Sequence, residues 1–192
     1  CVAGSGSDTI AFNAALNGPI LLASILPALS DADGLSINGG TAKVTINGGG
    51  TFRIFDIPVG VSVTIQNLTL TNGIGNGGII YNSGTLNLQA STLSGASGTN
   101  GGAVYNNNGT VSITNSTFTG NTADFGAAIY NDTGTVSITN TTIHDNTISG
   151  GGTFINESTV SATNGGTVAI SAGTFTNAAG ATVEAAATST VN

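Results

Sequence analysis

The chain is 192 residues long, carries 6% charged residues and a formal net charge of −7, and has only two basic residues, Lys43 and Arg53. That balance excludes a nucleic-acid footprint, which needs clustered Lys and Arg, and disfavours anionic lipid and polyanionic sugars. No apolar run reaches the ~20 residues of a membrane-spanning helix, because the longest, Ile20 to Leu29, is broken by Ser24 and Pro27.

Cys1 is the only thiol and stands where an initiator Met is expected. It reads either as the lipidated first residue of a mature bacterial lipoprotein, tethered through VAGSGS, or as a processed or truncated start with a disulfide partner upstream. The segment from Asp8 to Leu29, DTIAFNAALNGPILLASILPAL, is the most hydrophobic in the chain. A solenoid end exposes core and strand edges and needs a cover, so residues 1–34 are assigned to an N-terminal cap and first coil. Short strands follow in LSING from Leu35, KVTING from Lys43 and FRIFDI from Phe52. Residues 35–192 form the coils of one elongated domain.

From Val63 the text VTIQNLTLTNGIGNGGIIYNSGT returns at Leu86, Val111 and Val136, with starts 23, 25 and 25 residues apart. A fixed period in the twenties is the signature of a solenoid. Within each copy apolar and polar residues alternate, the strand period of two. Val111 and Ile113 point one way, Ser112 and Thr114 the other. Further inward runs pass through Leu70, Leu93, Phe118 and Ile143, and through Ile80, Val104, Ile129 and Phe154. Near the C-terminus, Val160, Val168, Phe175, Val183 and Val191 each follow a Thr at separations of 8, 7, 8 and 8. Three faces of about eight residues predict an all-β, right-handed, three-sided parallel β-helix with about 24 residues per coil. TVEAAATSTVN stops in mid-pattern, which suggests that the rod continues.

The corners are written in Gly and Asn, the residues that best tolerate a left-handed backbone. Asn82, Asn106, Asn131 and Asn156 recur at one corner and predict a structural ladder of stacked amides. Asn115 and Asn140 mark another, with Asn67 equivalent and Ala90 breaking the row. Tyr81, Tyr105 and Tyr130 each follow an inward residue, so alternation turns them outward as an exposed stack about 4.8 Å apart. They read as a stabilising ladder or as a contact strip for a sugar chain or a neighbouring subunit.

Chemistry has few places to sit. Arg53 with Asp56 reads as a surface pair. Asp132 and Glu157, one repeat apart, are the best candidates for a facing carboxylate pair of the kind glycoside hydrolysis needs, and also read as solvated corner residues. His144 is the only histidine and reads as an outward surface substitution. Metal sites built from Cys and His are excluded by count. Six N-x-[S/T] sequons begin at Asn67, Asn108, Asn115, Asn131, Asn140 and Asn156 and follow from composition alone. No catalytic, cofactor-binding or metal residues are assigned.

GSDTIAF, the ILLASILPAL run and LSINGG resemble the N-terminal part of large secreted bacterial β-helix repeat proteins. GGAV at Gly101 and FTGN at Phe118 resemble the paired tetrapeptides of chlamydial polymorphic outer membrane proteins, with GGII at Gly77, GAAI at Gly126 and IHDN at Ile143 as looser copies. The resemblance covers about residues 5–156. It implies the fold and an adhesin-like passenger at the cell surface; the barrel and anchoring parts of those families are not in this sequence. The expectation is a non-enzymatic extracellular or cell-surface solenoid without cofactor, adhesin-like or the subunit of a head-to-tail fibre. Its partners are its own ends, a carbohydrate or a host surface. The alternative is a polysaccharide lyase or glycoside hydrolase of the pectin-lyase-like fold.

Overall fold

The structure, a computed structural model, describes residues 6–146 apart from 14, 15, 17 and 43, and from Ile148 onward only the backbone of the strands. The chain is all-β with parallel pairing throughout, each coil laid on the one before. β1 (Asp8–Ala11) and β2 (Ile20–Leu21) open the stack, followed by β3 (Leu35–Asn38), β4 (Thr45–Asn47) and β5 (Phe55–Ile57). The next coils are β6 (Ser62–Gln66), β7 (Thr69–Thr71) and β8 (Ile80–Asn82), then β9 (Thr85–Gln89), β10 (Thr92–Ser94), β11 (Ser97–Asn100) and β12 (Val104–Asn106). β13 (Thr110–Thr114), β14 (Thr117–Thr119), β15 (Thr122–Phe125) and β16 (Ile129–Asn131) repeat that pattern. β17 (Thr135–Thr139), β18 (Thr142–His144) and β19 (Ile148–Gly150) come after them. The chain closes with β20 (Thr153–Asn156), β21 (Thr159–Ala162), β22 (Thr167–Val168), β23 (Thr174–Asn177), β24 (Thr182–Ala185) and β25 (Thr190–Val191).

Three long sheets result. The largest has eight strands in the order β1-β3-β6-β9-β13-β17-β20-β23. The second has six, β18-β14-β10-β7-β4-β2, and the third five, β19-β16-β12-β8-β5. Register keeps like over like. Val63, Leu86, Val111 and Val136 align in one interior column, and Ile46, Leu70, Leu93, Phe118 and Ile143 in another. All nine of these side chains are buried, and each such burial contributes roughly 1.5–3 kcal/mol. Along the strands of these two sheets the period-two alternation therefore sorts as expected: apolar residues line the interior and the polar residues between them face out.

Left-handed residues stand on both sides of the second strand of each repeat. Asn67, Ala90, Asn115 and Asn140 have φ of 56°, 45°, 51° and 49°. The asparagines of that row were legible in the sequence; Ala90, read as breaking it, keeps the same left-handed turn and lacks only the amide. A second row, Asn72, Gly95, Gly120 and Asp145, turns the chain after the second strand of each coil, at φ of 53°, 63°, 61° and 57°.

The structure differs from the sequence reading in two places. Two coils carry a fourth strand, because β11 and β15 pair with each other between the second and third long sheets. The fourth copy also closes sooner than its text implies. β19 takes the place opposite β16, with Gly150 facing Asn131, and β20 passes on to the large sheet, where Val136 faces Phe154 and Ile138 faces Asn156. Among the described residues no strand continues the β11–β15 pair and β19 begins soon after β18 ends, so that coil is shorter and the later text is displaced by one strand. Phe154 thus follows Val136 and not Ile129, and Asn156 stands outside the column of Asn131.

The first coil is less regular than those after it. Its inward residues, Ile10, Phe12, Ile20, Leu22, Leu26 and Leu29, pack on the core but are only partly buried. Leu22 N–H and Leu29 N–H still reach the next coil, donating to Asn47 and Asp56 carbonyls at 2.9 Å each. Among the described residues no helix is long and apolar enough to cross a membrane.

Candidate functional site

The five-stranded sheet holds both features that the sequence singled out. In Ile80-Tyr81-Asn82 the first and third side chains point in and the tyrosine points out, and the same holds for Val104-Tyr105-Asn106 and Ile129-Tyr130-Asn131. Parallel register stacks Tyr81, Tyr105 and Tyr130, and on the other side of the sheet Asn82, Asn106 and Asn131. The chain is steered into each of these strands by Gly77, Gly101 and Gly126, at φ of 59°, 63° and 58°. A Cβ there would strike the carbonyls of Ile80, Val104 and Ile129, so the glycine is required twice over, by conformation and by space.

The buried face is a closed amide ladder. Asn82 Nδ2 donates to Asn106 Oδ1 at 2.7 Å, and Asn106 Nδ2 to Asn131 Oδ1 at 2.8 Å. Each amide also clamps its own turn: Asn82 donates to Gly84 O at 3.2 Å, Asn106 to Gly109 O at 2.9 Å, and Asn131 to Gly134 O at 3.0 Å. Asn82 and Asn106 are 0% exposed and Asn131 2%. A buried polar group is tolerated only when bonded. The one orphan is Asn82 Oδ1, which has no partner because the place before it in the column belongs to Ile57. Asn156 does not join the ladder, for the reason of register given above.

The outward face carries the three tyrosines, all partly exposed, with ring centroids 5.2 Å apart between Tyr81 and Tyr105 and 5.3 Å between Tyr105 and Tyr130. The first pair meets edge to face at 80° and the second is tilted at 50°, the geometries that aromatic quadrupoles prefer over a flat sandwich. Asn107 Nδ2 donates to the Tyr81 hydroxyl at 2.7 Å, and the Tyr105 hydroxyl donates to Asp132 Oδ2 at 3.2 Å. Partial burial, first, and then the Asp132 carboxylate push the Tyr105 pKa up to about 12. Arg53 lies over Tyr81 with its guanidinium carbon 4.9 Å from the ring centroid. It pairs with Asp56 at 3.2 Å, and Asp56 is the residue opposite Tyr81 in register. The expected surface pair is therefore present, and it sits at the head of the tyrosine column.

The remaining candidates are spread apart. His144 Nδ1 lies 3.2 Å from both Thr119 Oγ1 and Asp145 Oδ2, on the outward side of the six-stranded sheet. Asp132 is engaged by Tyr105; Cys1, Lys43 and Glu157 lie outside the described residues. Among the described residues no group of three or more His, Cys, Asp or Glu side chains is placed to hold a metal ion.

Two buried polar columns escaped the sequence reading. Ser91, Ser116 and Thr141 follow the left-handed corner and turn inward. Each hydroxyl donates to the carbonyl two residues back, at 2.8, 2.8 and 3.0 Å, and accepts an N–H from the coil before, from Leu68, Ser91 and Ser116. Asn121 and Asn146 make a second amide ladder at 2.8 Å. The available signal was their recurrence at fixed offsets from the corner.

No protein-family model matches this chain, and neither the curated proteins nor the solved structures contain a match to it.

Proposed function

We propose that the chain is a non-enzymatic structural β-solenoid of the secreted or cell-surface kind, right-handed and three-sided in its winding, serving as an adhesin-like stalk or as the subunit of a fibre. One observation carries this reading: the recurring polar side chains are bonded to their own counterparts in the neighbouring coil. Asn82, Asn106 and Asn131 do so, as do Asn121 and Asn146, and Ser91, Ser116 and Thr141 bond the backbone of the coil before. A repeat that spends its recurring polar side chains on stacking is suited to length and rigidity. The charges support the same reading, since Arg53 is paired with Asp56, His144 with Asp145, and Asp132 is held by Tyr105. Parallel strand edges can receive a further coil, and such head-to-tail contact is heterologous and open, so it grows filaments. Carbohydrate and host surfaces are its natural extracellular contacts.

The test is electron microscopy of the purified chain at rising concentration. Filaments with an axial repeat are expected; short dispersed rods at the highest concentration would exclude the fibre. Release of new reducing ends or unsaturated sugars from a polysaccharide panel would instead favour the lyase or hydrolase alternative.

A further inference from the structure

The Arg53 end of the tyrosine column opens into a cleft. The cleft, of about 170 Å³, is lined by Ile25, Leu26, Ala28 and Phe55 together with Arg53 and Asp56. Arg53 belongs to both places, since it lines the cleft and covers Tyr81. Cleft, ion pair and three rings thus form a continuous track that runs across the strands, along the direction of stacking.

We propose that this track binds a neutral polysaccharide, lying along the stack with one sugar per coil and one chain residue at the Arg53–Asp56 cleft. Four features fit that ligand. Aromatic rings receive the apolar C–H face of a pyranose. Polar groups stand beside them in Asn107 and Asp132, which already hold the Tyr81 and Tyr105 hydroxyls; Asn107 Oδ1 accepts from Asn108 Nδ2 at 3.4 Å, and both side chains keep acceptor lone pairs for sugar hydroxyls. The centroid steps of 5.2 and 5.3 Å are close to the advance of one pyranose in an extended chain. The ion pair supplies donors and acceptors with no net charge, and the chain's −7 works against a uronate polymer. The rings are turned against one another by 80° and 50°, so they present no flat shelf. They match a soluble chain that twists from sugar to sugar better than the face of a crystalline one.

This inference is separate from the structural role, because a rod that ignores every polysaccharide remains a rod. The test is native electrophoresis in gels containing soluble glucomannan, xyloglucan or mixed-linkage β-glucan, with polygalacturonate as the polyanion. The wild-type chain should be retarded by at least one neutral polymer. Tyr105→Ser should weaken that binding by about tenfold, the size expected for one lost aromatic contact, while Tyr105→Phe keeps most of it. Tyr81, Tyr105 and Tyr130 are the only tyrosines and the chain has no Trp. Intrinsic emission therefore reports on the track alone and tests the wild type even if Tyr105→Ser fails to fold: titration with the retarding polymer should change it. The proposal is overturned by any of four results: no retardation by the neutral polymers, retardation by polygalacturonate alone, binding unaffected by Tyr105→Ser, or retardation with unchanged tyrosine emission. A Tyr105→Ser variant that loses self-association in sedimentation, with no neutral polymer bound by the wild type, would assign the strip to a second copy of the chain and also overturn it.

Discussion

Two columns of asparagine run along this solenoid and do different work. In the column of Asn82, Asn106 and Asn131 the side chain matters: it is buried, donates twice and cannot be replaced by a group lacking an amide. In the column of Asn67, Asn115 and Asn140 the backbone matters: φ lies near 50°, the side chains are partly or fully exposed, and Ala90 occupies the equivalent place at φ of 45°. One residue type thus answers two demands, satisfaction of buried polar groups and tolerance of a left-handed turn. Recurrence alone does not say which demand is being met. Burial and φ do.

Substitutions at each column separate the two demands. The largest effect is expected for Asn106→Leu, which fills the space but removes three buried hydrogen bonds at once: those to Asn131 Oδ1 and the Gly109 carbonyl, and the one accepted from the Asn82 amide. A loss of about 3 kcal/mol is expected in denaturant unfolding; a loss near zero would mean that the ladder is ornament. Next comes Gly109→Ala, whose Cβ would press into Asn82 Nδ2 and Asn106 Oδ1. Overpacking of that kind costs about 2 kcal/mol, and calorimetry should place this variant's melting between those of the wild type and Asn106→Leu. In the other column Asn115→Val should cost about 1–2 kcal/mol, the penalty of a β-branched residue forced left-handed, while Asn115→Gly should be nearly neutral. Ala90→Gly should raise stability by up to about 1 kcal/mol because it removes a Cβ from a left-handed residue. A stabilised Asn106→Gly, or a strongly destabilised Asn115→Gly, would reverse the assignment of the two columns.

The smallest effect concerns pH. Tyr105 has a folded pKa of about 12 against an ordinary value of 10.0. Between those values the folded chain holds the proton that the unfolded chain has released. Its contribution is therefore complete below pH 10 and declines as the pH rises towards 12. Alkaline ultraviolet titration should show a tyrosine ionising at about pH 12, and Asp132→Asn should lower that value by removing the neighbouring carboxylate.

The sequence carried the fold well because the fold is periodic. Period two sorted Val111 and Ile113 inward and turned Tyr81, Tyr105 and Tyr130 outward, and the corner asparagines marked their own turns. It was less informative where alternation is interrupted. Ser116 follows Thr114 and the left-handed Asn115, so the corner resets the phase and a polar residue enters the interior. Read by alternation and hydropathy it looks like surface. Asn156 misled for a different reason: text similarity with the earlier copies was taken as spatial equivalence, but a coil without the fourth strand shifts everything after it. The link between Arg53 and Tyr81 was invisible because the two residues belong to different coils and no repeat contains an arginine.

The amide ladders also have a direction. In the interior, Asn82 and Asn106 donate towards the following coil, as Asn121 does to Asn146. At the outer corners the arrow is reversed: Asn67 donates back to Asn38, Asn72 to Asn47 and Asn140 to Asn115. The side-chain dipoles of the two sets therefore oppose each other along the stack. A solenoid wired in this way can lengthen by whole coils without lining up all of its side-chain amides in one sense.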